Sequence, residues 1–380
     1  MKAPPLALYA HFPWCVQKCP YCDFNSHKLR DELPERRYID ALIRDLDVQA
    51  PEVAGRPLTS IFLGGGTPSL FSPADIGRFL AHARDTLGFA GNIEITLEAN
   101  PGTIERGRFA EYRAAGVTRV SLGAQSFDER QLRLLGRIHS ADETRRAAEE
   151  LHSAGLTNFN LDLMYALPGQ SAADAEADIR EALALRPAHI SQYHLTIEPG
   201  TVFAAAPPVQ PADDVVEEML DRSLQTLANE NFAQYEISGY ARADARCTHN
   251  LNYWSFGDYL GVGAGAHGKI SDPTSGLIVR TQQTREPRRY LAADPRDRIS
   301  KPIAPADLPF EFAMNGFRLV EGFAGELFEE RTGLPIAILE RALGLGLERG
   351  LVERVANQWR ATPKGFRFLN DILVELLPSP

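Results

Sequence analysis

The sequence lacks a long apolar run, an excess of basic residues and a secretory leader. No stretch approaches the roughly 18 uninterrupted apolar residues that a membrane-spanning helix requires. The short apolar run at the amino end meets His11 at once, whereas a secretory signal has a longer apolar region and a small-residue cleavage site. The formal net charge of −10 argues against a broad basic face for nucleic acid. We therefore expect a cytoplasmic protein with no membrane-spanning segment and no nucleic-acid partner, any membrane association being transient and through a partner.

Cysteine is also scarce, and its placement is informative. The 380 residues include four cysteines, and Cys15, Cys19 and Cys22 lie within eight residues of one another. A disulfide framework would spread its cysteines along the chain, and a cytosolic protein keeps its thiols reduced. Clustered thiols in such a protein indicate a metal site.

The first two hundred residues alternate short apolar runs with amphipathic segments. Predicted strands cover residues 6–12, 60–63, 93–97, 119–122, 159–164 and 189–195, and predicted helices cover 35–48, 73–86, 104–115, 141–154 and 172–185. Strands that alternate with crossover helices predict a parallel sheet. About six such units predict an α/β fold of the partial (β/α)6, TIM-like type, with an open doubly wound sheet as the alternative. In either fold a ligand site is expected at the carboxyl ends of the strands.

The alternation of strands and helices ends at about residue 205, so we divide the chain into segments 1–205, 206–300 and 301–380. The middle segment has a helical pattern at 212–229, and residues 287–309, rich in Pro, Arg and Asp, are predicted to be a linker. The last segment has helical patterns at 306–319, 334–349 and 362–377, and the polar stretch 352–360 suits a hairpin. We expect a smaller α+β region there, with a winged-helix-like unit.

The cysteine segment has the spacing C-x3-C-x2-C. Pro13 and Pro20 exclude a continuous helix, so the segment is predicted to be a loop in which the three thiolates converge on one metal site. Thiolates suit iron–sulfur clusters, zinc or copper(I). Three cysteines leave one iron of a four-iron cluster without a protein ligand. Zinc with either His11 or His27 as a fourth ligand is the alternative.

This motif resembles the signature of the radical S-adenosylmethionine superfamily, in which an aromatic residue precedes the last cysteine, as Tyr21 does here. The resemblance implies a radical SAM barrel of six units and a [4Fe–4S] cluster held by Cys15, Cys19 and Cys22. It also implies that the open iron binds the amino and carboxylate groups of S-adenosyl-L-methionine. Reduction of the cluster then cleaves the sulfonium and releases a 5′-deoxyadenosyl radical.

A glycine-rich turn follows the second predicted strand, in the order Gly64-Gly65-Gly66-Thr67-Pro68. Glycine lets the backbone approach a ligand closely and leaves its amides free to donate. A tight strand-to-helix turn is the structural alternative. In the resembling family this turn contacts the methionine part of the cofactor, which implies that Gly65, Gly66 and Thr67 bind it.

Polar residues lie where later strands are expected to end. Taken alone, each is explained as well by a surface or capping role. Their order resembles that of the oxygen-independent coproporphyrinogen III oxidase group, in which matching residues contact S-adenosylmethionine. The cofactor contacts that this resemblance implies are Tyr9, Tyr21, Glu98, Gln125, Arg137 and Asp162.

Two further features resemble the HemW branch of that group, whose members are regarded as haem chaperones. The true oxidases carry another cysteine two residues after the third cluster ligand, where this chain has Phe24. The order His249-Asn250-x-x-Tyr253-Trp254 matches a motif typical of the branch, with an imidazole to ligate iron and aromatic rings to pack on a porphyrin. A buried histidine beside core aromatic residues is the structural alternative, and Cys247 is a second candidate ligand.

The resemblance therefore implies a haem chaperone, with haem as cargo and a haem-acceptor protein such as a respiratory cytochrome as partner; it leaves a homodimer open. The rival interpretation is an oxygen-independent coproporphyrinogen III oxidase or another radical enzyme acting on a tetrapyrrole. A third takes the carboxyl-terminal unit as a nucleic-acid module, which the acidic balance disfavours. The G-x-G-x-x-G pattern at 263–268 does not open a βαβ unit, so we predict a structural loop.

Overall fold

The computed structural model describes residues 1–53, 55–102 and 107–377. Within them, none of the helices has the length and apolar character needed to cross a lipid bilayer. The strands are β1 (Leu6–Phe12), β2 (Trp14–Cys15), β3 (His27–Lys28), β4 (Leu58–Gly65), β5 (Phe89–Ala99), β6 (Arg119–Gln125), β7 (Phe159–Tyr165), β8 (His189–His194), β9 (Ala233–Gln234), β10 (Gly239–Ala241), β11 (Asp258–Val262), β12 (His267–Ser271), β13 (Ile278–Gln282), β14 (Ile299–Pro302), β15 (Phe323–Ala324), β16 (Val352–Val355) and β17 (Gln358–Ala361).

The α-helices alternate with the strands in the first half of the chain and cluster at its carboxyl end. They are α1 (Glu35–Gln49), α2 (Pro73–Leu87), α3 (Phe109–Ala114), α4 (Glu129–Leu134), α5 (Ala141–Ser153), α6 (Ala172–Ala184), α7 (Val202–Ala205), α8 (Asp213–Asn229), α9 (Thr248–Trp254), α10 (Pro287–Ala292), α11 (Leu308–Gly316), α12 (Gly325–Thr332), α13 (Ile336–Ala342), α14 (Gly344–Glu348), α15 (Pro363–Arg367) and α16 (Leu369–Val374). The start of the helix predicted at 104–115 lies outside the described residues.

The main sheet has the order β14-β13-β12-β11-β1-β4-β5-β6-β7-β8-β10-β9. Strands β1, β4, β5, β6, β7 and β8 run parallel to one another, and β11 adds a further parallel strand beside β1. These are the six predicted strand–helix units, so the prediction of a partial barrel is confirmed. Because the strands are parallel, their carboxyl ends lie at one end of the barrel.

The local sequence explains why these elements form. In β1 six of seven residues are buried, as expected for a parallel strand covered on both faces. Helix α5 begins with a capping box, in which the Ser140 hydroxyl accepts from the Glu143 amide and the Glu143 carboxylate accepts from the Ser140 amide. Its buried residues, among them Thr144, Ala148 and Leu151, follow the helical period and face the sheet.

The prediction of a linker at 287–309 is wrong. This stretch contains α10, a 3-10 helix (Pro295–Asp297) and β14, an end strand of the main sheet. Pro287 occupies the first turn of α10, where proline loses no hydrogen bond, and the Glu286 side chain caps that helix. Pro302 lies in an end strand, where proline is tolerated. In this stretch proline therefore marks the starts of helices and the edge of the sheet, and not a linker.

The carboxyl-terminal region forms a smaller unit with its own core. A three-stranded sheet of order β15-β17-β16 packs with helices α11 to α16 around buried Phe312, Phe328 and Trp359. The antiparallel pair β16–β17 is the predicted hairpin. The predicted α+β region is therefore present, and its likeness to a winged helix stays a prediction.

Candidate functional site

A cavity of about 530 Å³ lies at the carboxyl ends of the barrel strands. Its size is typical of a site for a small molecule or cofactor. The structure brings eleven of the predicted site residues into its wall, from segments far apart in the chain. They are Cys15, Cys19, Tyr21, Cys22, Gly65, Gly66, Thr67, Glu98, Gln125, Arg137 and Asp162.

The cysteine loop is closed at its base by a short parallel pairing of β2 with β3. The His27 amide donates to the Pro13 carbonyl at 2.7 Å, and the Leu29 amide donates to the Cys15 carbonyl at 2.8 Å. The ammonium of Lys18 crosses the loop and donates to two of its carbonyls, each at 3.0 Å. These bonds hold the three half-buried thiols at the mouth of the cavity.

The glycine-rich turn packs so closely against the cysteine loop that side chains are excluded. The Gly66 amide donates to the Phe12 carbonyl at 2.7 Å and the Thr67 amide to the Trp14 carbonyl at 2.8 Å. A Cβ atom on Gly66 would lie 2.5 Å from the Trp14 carbonyl oxygen. Gly65 has a φ of +116°, and a Cβ there would lie 2.5 Å from the His11 ring. Both positions therefore require glycine.

Arg137 connects three parts of the cavity wall. Its guanidinium donates to the Asn100 side-chain carbonyl, to the Gly123 carbonyl at 2.8 Å and to the Cys19 sulfur at 3.6 Å. The Asn100 amide in turn donates to the Thr67 hydroxyl at 2.9 Å. Asn100 is a site residue that the sequence interpretation missed; its place two residues after Glu98, at the end of β5, was the available signal.

The acidic residues that line the cavity include the two predicted contacts Glu98 and Asp162. Glu98 accepts from the Gly65 amide at 2.9 Å. Burial, together with the charge of Asp162, raises the pKa of Glu98 to about 8. Burial also raises the pKa of Asp162, although Ser121 and Asn160 donate to it at 2.9 and 2.8 Å. The Glu98 carboxyl is therefore largely protonated at neutral pH in this form of the protein.

The remaining predicted contacts differ in position. Tyr21 lines the cavity beside Arg137, and burial raises its pKa. Gln125 also lines it, with a backbone φ of 69° that places the residue in the left-handed region. Tyr9 is not in the cavity wall: its hydroxyl bonds to His11 Nδ1 at 3.0 Å, and its ring lies 6.3 Å from that of Phe62.

The donor set fits an iron–sulfur cluster. Among the described residues, no three His, Cys, Asp or Glu side chains converge as a site for a single metal ion. The three cysteines line one cavity, and a four-iron cluster takes one thiolate for each iron that the protein ligates. His11, one of the candidate zinc ligands, has its Nε2 bonded to the Asn25 carbonyl at 2.9 Å and its Nδ1 to Tyr9.

The haem-motif residues lie on α9, toward the amino-terminal end of the barrel. The Glu94 carboxylate accepts hydrogen bonds from the amides of Thr248 and His249, both at 3.1 Å, and from the Cys247 thiol at 3.4 Å. Glu94 is four residues before Glu98 on β5, which corresponds to about 13 Å along the strand. The motif and the cofactor cavity therefore occupy different levels of one barrel.

His249 is buried, with 2% of its surface exposed. Its Nδ1 is 3.0 Å from the Ser60 hydroxyl, and its Nε2 is buried without a hydrogen-bond partner in the described residues. Burial lowers the pKa of His249 to about 3, so the imidazole is neutral. Rings of Phe62 and Tyr253 lie 5.1 and 4.9 Å from it.

The other motif residues are half-buried around His249. The backbone amide of Asn250 bonds to the Cys247 sulfur, which is buried. The Trp254 ring lies 6.3 Å from that of Tyr253, and its indole nitrogen is buried without a partner in the described part of the chain. Tyr253 therefore packs near both His249 and Trp254.

The 263–268 loop has a structural role. The Gly263 amide donates to the Asp45 carboxyl at 3.0 Å, and the Ala264 carbonyl accepts from the Asn25 side chain at 2.8 Å. Burial raises the pKa of Asp45 to about 6. The loop therefore supports the cysteine segment from behind.

Comparison with known proteins places this architecture. Residues 9–182 match the radical SAM superfamily model, and residues 303–368 match the HemN C-terminal domain. The protein called heme chaperone HemW in Escherichia coli K12 is 47% identical over 378 residues, covering 98% of each chain. The chain belongs to the HemW family. The HemW proteins of Haemophilus influenzae and Mycobacterium tuberculosis H37Rv are 47% and 34% identical, covering 98% and 99% of this chain and 98% and 96% of their own lengths.

A solved structure of E. coli coproporphyrinogen III oxidase (HemN), described as a radical SAM enzyme, superposes on this HemW-family chain with a TM-score of 0.82. It is 23% identical and covers 98% of this chain and 90% of its own. At that identity the likeness establishes the fold. The HemW-family chain has Phe24 where the oxidases carry a further cysteine, and the ring is 59% exposed at the cavity wall.

Proposed function

We propose that this chain is a haem chaperone that holds a [4Fe–4S] cluster and S-adenosylmethionine in the barrel cavity and binds haem at the motif on α9. Family membership supports the proposal, since relatives named heme chaperone HemW match along nearly the whole chain. The acceptor would be a haem protein such as a respiratory cytochrome, reached where needed through a partner at the membrane. A homodimer is part of the proposal, and a sedimentation coefficient that rises with cluster loading would support it.

Cys15, Cys19 and Cys22 would hold the cluster, which supplies one-electron reduction of the bound cofactor. Gly65, Gly66 and Thr67 present a backbone turn to the same cavity. Burial raises the pKa of the Cys15 and Cys22 thiols. A bound metal would lower the pKa of these thiols, because it binds the thiolate form.

The observation that carries the haem proposal is the Nε2 of His249, which has no hydrogen-bond partner in the described part of the chain. When Nδ1 donates to Ser60, Nε2 keeps the lone pair that an iron ligand needs. A buried nitrogen with no hydrogen bond costs free energy in the empty form, and coordination to haem iron would remove that cost. Phe62 and Tyr253 give this nitrogen aromatic surroundings suited to a porphyrin. Since His249 is buried, haem binding requires Tyr253 and Trp254 to move aside.

Hemin titration tests this proposal. We expect the wild type to shift the Soret band of hemin and His249→Ala to bind hemin at least about tenfold more weakly, because an iron ligand is lost. The matched control is His82→Ala. His82 lies on α2, and its side chain pairs with that of Asp47 on α1. An unchanged Soret band with the wild type would exclude the function, and equal binding by His249→Ala would exclude the ligand.

The rival function is an oxygen-independent coproporphyrinogen III oxidase. The largely complete set of predicted cofactor contacts favours it, since a carrier has no obvious need for that chemistry. Anaerobic incubation of the reconstituted protein with coproporphyrinogen III decides between them. We expect no product above that of a cluster-free control, because Phe24 replaces the further cysteine of the oxidases. Product formation would favour the enzyme.

Glu98 predicts a pH dependence of cofactor binding. Because its pKa is raised to about 8, the carboxyl must lose its proton to pair with cationic S-adenosylmethionine at pH 7. We expect the affinity to rise as pH increases from 6 to 8, by up to about tenfold per unit below the pKa, with a proton released on binding. Calorimetry in buffers of different ionisation enthalpy measures that proton.

Glu98→Gln is the matched variant, since it keeps the shape of the side chain without the proton. The amino group of the cofactor also titrates in this range, so only the difference between the two proteins belongs to Glu98. The same proton release and pH slope in both would contradict this assignment.

A further inference from the structure

The barrel has an open seam, because the end strands of its sheet are β14 on one side and β9 on the other. Helix α11 and the residues after it cross this seam. On one side Arg280 of β13 pairs with Glu311 of α11. On the other side Arg318 pairs at 3.4 Å with Glu236, which lies between β9 and β10. Each side of the seam therefore carries one arginine–glutamate pair.

Both arginines also contact aromatic residues that pack against Tyr253, the ring beside His249. The Arg280 guanidinium donates to the Tyr259 hydroxyl at 3.0 Å, and the Tyr259 ring lies 4.3 Å from that of Tyr253. The Arg318 guanidinium lies 4.2 Å from the centre of the Trp254 ring. Arg280 is therefore connected to His249 through Tyr259 and Tyr253. Arg318 is connected to it through Trp254 and Tyr253.

The chemistry of these arginines suits a carboxylate ligand. A guanidinium binds a carboxylate through two parallel hydrogen bonds while its face stacks on an aromatic ring. The side chains of Arg280 and Arg318 are 30% and 29% exposed, so each arginine keeps a part that faces solvent although its partner, above all Glu236, is more buried. Haem bears two propionate carboxylates on one edge. When haem binds among aromatic side chains, these carboxylates must either pair with cations or stay in water, because burying an unpaired charge is costly.

We propose that Arg280 and Arg318 are the propionate-binding residues of the haem site, exchanging Glu311 and Glu236 for the two carboxylates of the ligand. This inference rests on the proposed function, because it assumes that haem binds at His249. It assigns the seam between β14 and β9, which α11 crosses, as the face through which haem reaches the motif. The two ion pairs that close the seam are then the groups that recognise the ligand.

The test compares hemin with hemin dimethyl ester, which keeps the iron and the ring but has no free carboxylates. Soret titrations of both ligands in the same detergent use the full-length wild type and the variants Arg280→Gln and Arg318→Gln. We expect the wild type to prefer hemin by at least about tenfold, and each variant to lose about tenfold in hemin affinity, while ester binding changes little.

Arg354→Gln is the matched control. Like Arg318, Arg354 has an ion pair, with Glu340 at 2.6 Å, and lies over a tryptophan ring, 5.2 Å from the centre of Trp359, but it belongs to the hairpin of the carboxyl-terminal unit. This variant should keep the preference for hemin. The ester comparison on the wild type also removes dependence on how well the variants fold.

The outcomes separate the inference from the function on which it rests. Equal binding of hemin and its ester by the wild type would overturn the propionate assignment while leaving haem binding intact. Retention of the full preference by an Arg280→Gln, Arg318→Gln double variant would overturn it too. Binding of neither ligand by the wild type would overturn the haem proposal itself.

Discussion

Each of the variants Cys15→Ser, Cys19→Ser and Cys22→Ser will lose most of its cluster iron after anaerobic reconstitution. A cluster with three protein ligands has no spare thiolate, since each cysteine serves a different iron. Changing residues that merely support a metal ligand already costs about tenfold to a hundredfold in metal affinity, so removing a ligand should cost at least as much. Iron and sulfide analysis, with EPR of the reduced protein with and without S-adenosylmethionine, measures the loss.

The fourth cysteine provides the control for this experiment. Cys247 is fully buried and donates to Glu94 at the other level of the barrel, and a serine there retains a hydroxyl donor. We expect Cys247→Ser to keep the wild-type iron content. A four-iron signal that survives in the three loop variants, or zinc in place of iron in the wild type, would contradict the assignment of the cluster.

The strands of the barrel could be predicted because parallel strands covered on both faces are continuous apolar runs. The structure places β1 and the predicted first strand at the same residues, Leu6–Phe12, and β4 extends beyond the predicted 60–63. The position of such a strand can therefore be read from the apolar run itself. The elements after residue 205 were less predictable, because β14 is fully exposed and has no apolar pattern.

The candidate cofactor site could be predicted in outline because parallel strands bring their carboxyl ends together. Glu98, Gln125 and Asp162 meet in one cavity although they come from three different strands. The role of Asn100 could not be predicted in this way. Its position just after β5 indicates the edge of the cavity, but its role depends on hydrogen bonds to Thr67 and Arg137, which are distant in sequence.

The burial of His249 also could not be predicted from the residues around it in the sequence. The residues around it predict aromatic contacts, and Tyr253 indeed packs on it. Its depth is decided by Ser60 and Glu94, which come from two strands much earlier in the chain. The motif therefore predicts the chemistry of the histidine, whereas only the fold shows that neighbouring rings and strands bury it.

Glu94→Ala should cause the largest loss of stability among the changes considered. The carboxylate is 8% exposed and accepts from Cys247, Thr248 and His249. It also lies near Arg119, whose side chain is buried and whose pKa it helps to raise against the effect of burial. Removing one member of a buried charged group costs about 3–5 kcal/mol because the other charge is left uncompensated. Urea denaturation followed by circular dichroism measures the change in the free energy of unfolding.

Two further variants show which property of Glu94 matters. Glu94→Gln keeps an acceptor for α9 but loses the charge, so it should cost about 1–3 kcal/mol. Asp85→Ala removes an acid whose side chain is 71% exposed and should stay within about 0.5 kcal/mol of the wild type. A stable Glu94→Ala protein would contradict the argument. If this variant instead unfolds early, the first turn of α9 depends on a carboxylate of β5, and the position of His249 is set by the barrel sheet.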